Sequence, residues 1–149
     1  MHLLLRLGER DGKPDYESVH VEPIAGNRFR VLYSPGFAYG VAAGDELEVD
    51  EEGRYRVVAR AGNLSVRLLC GSGVADIEQS LTEQIERIGG RLDGQVRAGL
   101  AYTIPLSVGR DVIGQLFAKA KQENPSALWE YGNVYDEDGK LMEWLRSEA

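Results

Sequence analysis

The chain has 149 residues, 43% of them apolar, which is enough for one hydrophobic core or for two small units that share an interface. Its formal net charge of −7 argues against a general affinity for nucleic-acid backbones, because that binding needs clustered lysine and arginine. A basic protein is the better electrostatic partner for such a surface.

The first 62 residues are predicted to form a β-rich subdomain. Apolar and polar residues alternate in short runs, as at Val19 and Val21, Phe29 and Val31, and the stretch Arg54 to Val57. Turn residues separate these runs at positions 11–14, 25–27, 44–45 and 51–53. This pattern is typical of an antiparallel meander or a partly closed barrel.

Residues 63–136 change to an order of strand, helix, strand, strand, helix, strand. The strands are predicted at 64–70, 91–97, 100–108 and 128–135. Apolar residues recur at helical spacing in two segments, which are Val74, Ile77, Leu81, Ile85 and Ile88, and then Val112, Ile113, Leu116, Phe117 and Ala120. The order matches a ferredoxin-like βαββαβ unit, so we expect an α+β fold, with residues 137–149 as a C-terminal extension.

A distinctive motif lies in the segment that follows the first strands. It consists of Ser34-Pro35-Gly36-Phe37, the small residues Val41-Ala42-Ala43, and Gly44-Asp45-Glu46-Leu47. The motif resembles that of the bacterial domain-of-unknown-function family numbered four-two-six-five, a resemblance that covers most of the chain and implies no assigned biochemistry. Two interpretations of Asp45 stay open: it stabilises its own turn, or it joins the exposed Phe37 and Tyr39 in a recognition surface.

The tail offers a second candidate surface. Trp129-Glu130-Tyr131-Gly132, after a helix, is similar to the corresponding strand of the acidic bacterial regulator of ribonuclease E activity, which implies a ferredoxin-like unit there too. Trp129, Tyr131 and Tyr135 share one parity in the predicted strand, with Glu130 and Asp136 as acidic neighbours. These residues are candidates for protein binding, unless the N-terminal half covers them.

Neither a cofactor site nor a metal site is predicted. The loop Gly71 to Asp76 stands between a strand and a helix, but Asp76 would place a negative charge beside a bound pyrophosphate. The acidic stretch Asp136 to Gly139 lacks the twelve-residue spacing of a calcium loop. His2, His20 and Cys70 follow no recognised ligand spacing.

The cysteine content and the length of the apolar runs indicate the cellular compartment of the protein. Cys70 has no partner for a disulfide within the chain, which fits a reducing cytoplasm. Only Leu3-Leu4-Leu5 precedes Arg6, and no later run approaches eighteen apolar residues. We therefore expect neither a targeting signal nor a membrane segment.

No catalytic set is recognisable, and an enzyme is not expected. The leading hypothesis is a non-catalytic cytoplasmic binding protein, an immunity or inhibitor-type partner of a basic protein such as a nuclease or toxin. The alternative is a small-molecule-sensing module, because ferredoxin-like units often form homodimers through their sheets and bind ligands at the seam. A hydrolase that uses Asp45 is a third and weaker reading.

Overall fold

A computed structural model describes residues 1–146, and its first sheet is a five-stranded meander. The strands are β1 (His2–Arg10), β2 (Lys13–Ala25), β3 (Arg28–Val31), β4 (Glu46–Val49) and β5 (Tyr55–Ala59). Each pairs antiparallel with the next in chain order, as predicted. The sheet also curls back on itself, since Arg6 of β1 donates its N–H to the carbonyl of Gly53 in the β4–β5 turn at 2.8 Å.

The second sheet follows the predicted ferredoxin-like order. Its elements are β6 (Asn63–Leu69), α1 (Ala75–Arg87), β7 (Arg91–Val96), β8 (Gly99–Pro105), α2 (Arg110–Glu123) and β9 (Leu128–Tyr131), and the strands lie in the order β7-β8-β6-β9. All neighbouring strands are antiparallel. A short helix, α3 (Glu143–Arg146), ends the described part. The α+β fold class is confirmed.

Two strand ends differ from the prediction. β8 stops at Pro105 and gives way to a 3-10 turn at Leu106–Val108. β9 stops at Tyr131 rather than at Tyr135, because the Asn133 side chain takes over the pairing with β6: it accepts from the N–H of Ser65 and donates to the carbonyl of Asn63, both at 2.9 Å. The main chain is thereby free to turn away before Tyr135.

Both long helices cover one face of the second sheet. Ile77, Leu81 and Ile85 of α1 are buried there, as are Ile113 and Phe117 of α2. The apolar face predicted for α2 is wider than the buried one, since Leu116 is only partly buried and Val112 is exposed. No helix within residues 1–146 has the length and apolar character needed to cross a membrane.

The opposite face of the second sheet contacts a segment from the first half of the chain. Residues 32–45, which join β3 to β4 and are called the connecting loop below, contact this face through Ser34 and through carbonyls that Arg67 of β6 holds. The connecting loop contains the motif Ser34 to Asp45. The fold therefore places that motif between the two sheets.

Candidate functional site

The connecting loop is attached to the second sheet at Ser34. The N–H of Ser34 donates to Oδ2 of Asp93 at 2.7 Å, and its hydroxyl lies 2.6 Å from Oγ1 of Thr103. The Thr103 hydroxyl donates to the same Asp93 carboxylate, and Nε of Arg91 donates to its other oxygen at 2.7 Å. The Ser34 hydroxyl also accepts from the N–H of Ala43 at 3.1 Å. These hydrogen bonds attach the connecting loop to β7 and β8.

The tip of the connecting loop is held between two opposite charges. The carboxylate of Glu17 accepts from the N–H groups of Gly36, Phe37 and Ala38 at 2.8, 3.0 and 2.8 Å. On the other side, the guanidinium of Arg67 donates to the carbonyls of Gly36 and Ala38 at 2.6 and 2.8 Å. Charged groups form stronger hydrogen bonds than neutral ones, so this pair fixes the backbone that carries Phe37 and Tyr39.

Arg67 is a buried cation that lies against an aromatic ring and near a carboxylate. Its side chain is only 3% exposed, the Tyr39 ring lies over it at 4.7 Å, and Nε lies 3.6 Å from Glu130. Burial lowers the pKa of Arg67, against the opposing influence of Glu130. The Tyr39 hydroxyl donates to the Glu130 carboxylate at 2.7 to 2.8 Å. Burial, and then this hydrogen bond, raises the pKa of Tyr39.

Asp45 is part of the interior, not of a surface. Its side chain is 1% exposed. The carboxylate accepts from the N–H groups of Ala42 and Ala61 at 3.0 and 3.1 Å and pairs with Arg60 at 3.2 Å. The hypothesis that Asp45 belongs to a recognition surface is therefore wrong, and the turn interpretation holds. Gly44 beside it has a φ of +88°, and a Cβ there would lie 2.6 Å from that of Ala61.

An open groove of about 1030 Å³ runs beside the connecting loop. We call it the acidic aromatic groove. Phe37, Tyr39 and Tyr135 contribute exposed rings, with exposures of 57, 55 and 46%. Its remaining walls come from Gly40 of the connecting loop, from β1, from the β4–β5 hairpin and from the C-terminal segment. The last three supply Arg6, Leu7, Gly8, Arg54, Tyr55, Asp136, Glu137, Asp138 and Met142.

The charges of this groove are unevenly satisfied. Arg6 already pairs with Glu9 at 3.5 Å, and Arg54 pairs with Glu52 at 2.7 Å. Asp136 accepts from the N–H groups of Asp138 and Lys140, so its carboxylate shapes the turn. Among residues 1–146, Glu137 and Asp138 form no ion pair with a basic side chain, so their charges face solvent at the rim.

A second groove of about 580 Å³ lies on the other side of Phe37. β2 contributes Val19 and His20, the connecting loop contributes Tyr33 and Pro35, and the second sheet contributes residues of β6, β7 and β8. Phe37 lines both grooves. Its ring is therefore the ridge between them.

The structure assembles part of the predicted binding set and separates the rest. Phe37, Tyr39, Tyr135 and Asp136 meet in the acidic aromatic groove, and Glu130 lies beside it through Tyr39. Trp129 and Tyr131 lie outside this groove and, with Tyr135, line a separate open groove of about 720 Å³.

Trp129 and Tyr131 pack on the helical face of the second sheet. The Trp129 ring stacks on Phe117 of α2 at 5.2 Å, and the Tyr131 hydroxyl donates to the carbonyl of Arg110 at 3.2 Å. Both rings are half-buried on the helical side of the sheet, so the expectation that they lie on the opposite face, whether free or covered by the N-terminal half, was wrong. Glu130 has the opposite parity in β9 and lies beside Arg67.

Sequence reasoning missed the charged residues that shape the site. Glu17 stands at a polar position of an alternating strand, and Asp93 stands in a predicted strand where nothing in the local sequence marks it. Arg67 carried a usable signal, because it stands alone between Val66 and Leu68 in a run that is otherwise buried. A single charge in such a strand indicates a partner at the same depth.

The family model described as "Domain of unknown function (DUF4265)" matches residues 17–128. The chain belongs to the DUF4265 family. The matched span begins at Glu17 and takes in Arg67, Asp93 and Thr103, so it contains the polar anchors of the connecting loop.

A solved structure shares the fold alone. A crystal structure of a hypothetical protein from Neisseria gonorrhoeae is similar to this DUF4265 chain with a TM-score of 0.69 at 13% sequence identity, over 88% of this chain and 92% of that one. No curated protein matched.

Proposed function

We propose that this DUF4265 protein is a non-catalytic binding protein whose acidic aromatic groove receives a basic segment of a partner protein. One observation carries the proposal: exposed rings from two distant parts of the chain, Phe37 and Tyr39 on one side and Tyr135 on the other, line the same open groove as three consecutive acidic residues. Aromatic side chains supply much of the affinity in protein interfaces.

Charge and rigidity both support this reading. Glu137 and Asp138 stand at the rim without basic partners among the described residues, and the whole chain carries −7. Acidic rim groups accelerate the approach of a basic partner, while buried rings slow its departure. The clamp of Glu17 and Arg67 fixes the loop that carries Phe37 and Tyr39, which lowers the entropy that binding would cost.

The finer proposal is an immunity or inhibitor-type role in the cytoplasm, directed at a basic nuclease or toxin. Its support is the acidic balance, the single Cys70 and the similarity of Trp129 to Gly132 to the regulator of ribonuclease E activity. Gly132 lies against the Arg67 guanidinium and leaves no room for a Cβ, so this residue helps to place the arginine that holds the connecting loop.

The test is capture of binding proteins from a native lysate, followed by association and dissociation rates of the captured protein at low and high salt. Tyr135→Ala should raise the dissociation rate, and Glu137→Lys should lower the association rate most at low salt. Matched controls lie outside the groove: Leu128→Ala removes an exposed apolar side chain, and Glu83→Lys makes the same charge change on α1. Equal effects of groove variants and controls would contradict the proposal.

A small-molecule-sensing role is the second candidate, and the second groove favours it. Its volume of about 580 Å³ lies within the usual range for small ligands, and its lining is mainly apolar with a few polar groups such as His20 and Gln95. A Cβ at Gly94 on its wall would have no heavy atom within 4 Å, so Gly94→Val adds a side chain at this wall. Saturable metabolite binding that this variant abolishes would support sensing over protein binding.

A further inference from the structure

The histidines of the chain lie opposite each other on the first two strands. His2 of β1 and His20 of β2 are directly paired in the antiparallel register, and their Nε2 atoms share a hydrogen bond at 2.9 Å. A metal bound to both Nε2 atoms replaces this hydrogen bond, and each neutral ring then carries its proton on Nδ1. Both side chains are exposed, so their outer face is open to solutes. Eighteen positions separate them in sequence, which is why no local ligand spacing revealed the pair.

The surroundings keep the two rings in place. The ladder continues on both sides of His2, because Leu3 pairs with Val19 and the carbonyl of Met1 accepts from the N–H of Val21 at 2.8 Å. The Tyr33 ring meets the His20 ring edge-on at 5.4 Å. The imidazoles themselves lie 4.0 Å apart between centroids. The pair is thus prearranged by the strands and by a neighbouring aromatic ring.

We propose that His2 and His20 form a two-imidazole site for a late first-row divalent transition metal, with copper(II) favoured. Imidazole nitrogens bind such metals at about 2.0 to 2.1 Å, and two nitrogens 2.9 Å apart then subtend about 90° at the ion. That angle suits neighbouring positions of a square-planar or octahedral ion, whereas a tetrahedral ion would need the nitrogens about 3.4 Å apart. Affinity for nitrogen ligands is highest for copper(II), which prefers a tetragonal arrangement.

Water would complete the coordination. Within residues 1–146, no group of three or more histidine, cysteine or acidic side chains is arranged to hold a metal ion. The protein therefore supplies two donors and leaves positions open to exchange. The site is independent of the acidic aromatic groove, which neither histidine lines.

The decisive experiment is a titration of the untagged full chain with copper(II), followed by calorimetry and by electron paramagnetic resonance. We expect one copper ion per chain and a spectrum with hyperfine structure from two imidazole nitrogens. Two donors on one rigid ladder bind far better than one, so His20→Gln should weaken binding by about 100-fold or more. The matched control Tyr33→Phe keeps both donors and the ring contact, and should bind copper as the native chain does.

A competing site would use the terminal amine and His2 alone. Copper bound in that way would survive His20→Gln, and that result would overturn the proposal. A spectrum with one imidazole nitrogen in the native chain would do the same. Nickel(II) provides a separate readout, because it should raise the melting temperature of the native chain and leave that of His20→Gln unchanged if the ion bridges the folded strands. An equal rise in both proteins would contradict a bridging ion.

Discussion

Asp45 and Asp50 use the same hydrogen-bonding chemistry in opposite environments. Each carboxylate accepts from two backbone N–H groups: Asp45 from Ala42 and Ala61, and Asp50 from Glu52 and Arg54. Asp45 is buried and also pairs with Arg60, whereas Asp50 lies in an exposed turn. The energetic importance of the two residues should therefore differ even though their contacts look alike.

Asp45→Ala should destabilise the protein by about 2 to 3 kcal/mol, because it leaves two N–H groups and a half-buried guanidinium without an acceptor. Asp50→Ala should cost about 1 kcal/mol or less, since water can reach the freed N–H groups. Urea unfolding of both variants measures the difference. Equal losses would contradict the structural role assigned to burial at Asp45.

The pH dependence of Asp45 has a definite sign. Burial raises the pKa of its carboxyl, against the opposing hydrogen bonds of Ala42 and Ala61 and the charge of Arg60. The folded protein therefore keeps this proton to a higher pH than the unfolded chain does. The stability contributed in this way is complete below the ordinary carboxyl pKa and is lost as pH rises through the raised value.

We therefore expect the free energy of unfolding of the native chain, taken relative to that of Asp45→Asn, to fall as pH rises from about 4 to 7. Urea titrations at several pH values measure this difference directly, and the Asn variant removes the background from other carboxyls. If the free energy of unfolding of the native chain relative to Asp45→Asn rises over the same range, the pKa of the carboxyl is lowered in the folded protein instead.

At the scale of elements, the connecting loop depends on one carboxylate from β2. Glu17→Gln keeps the side-chain shape but removes the charge and one of the two acceptor oxygens that serve Gly36, Phe37 and Ala38. Amide hydrogen exchange at Phe37 and Ala38 should speed up by about 10-fold or more, because a charged hydrogen bond contributes about 1.5 to 3 kcal/mol. Glu22→Gln, which breaks an exposed ion pair with Arg30, is the control and should leave these amides unchanged.

The two long helices should respond differently to the same truncation. Leu81 of α1 is 2% exposed, so Leu81→Ala should cost about 2 to 5 kcal/mol. Leu116 of α2 is only partly buried, and Leu116→Ala should cost clearly less. Denaturant unfolding compares the two variants. A larger loss at Leu116 would mean that α2 packs more deeply than the structure shows.

The order of the strands and helices can be predicted from sequence periodicity. The ends of the strands, and the residues that share a surface, depend on tertiary contacts. Alternation and helical spacing locate both sheets and both long helices, because each element buries one face. The same alternation extended β9 to Tyr135, since no local pattern shows that the Asn133 side chain replaces the backbone at β6. Trp129 was placed on the wrong face for a related reason: parity groups residues but does not tell which face the helices cover.

For the whole molecule, the candidate groove is a product of long-range assembly. Phe37 and Tyr135 are almost a hundred positions apart, and their meeting depends on how the C-terminal segment crosses the connecting loop, where the N–H of Gly40 donates to the carbonyl of Gly132 at 2.7 Å. Composition could indicate an acidic, aromatic surface. Only the packing of the two sheets could show which of those residues share it.

The same long-range bonds predict how the chain unfolds. Asp93 and Arg67 of the second sheet hold Ser34, Gly36 and Ala38 of the connecting loop, so neither sheet can open fully without exposing charged groups of the other. We expect the two sheets to unfold in one cooperative transition.

Two reporters can test this expectation, one for each sheet. Trp129 and Trp144 both lie in the second half of the chain, so their fluorescence follows the second sheet, while amide exchange at Val21, Val31 and Leu47 follows the first. The two signals should give the same urea midpoint in the native chain. Asp93→Ala, which removes the acceptor of Ser34, should separate them by weakening the contact between the sheets. Different midpoints in the native chain would contradict cooperative unfolding and would mean that the connecting loop couples the sheets less strongly than its hydrogen bonds imply.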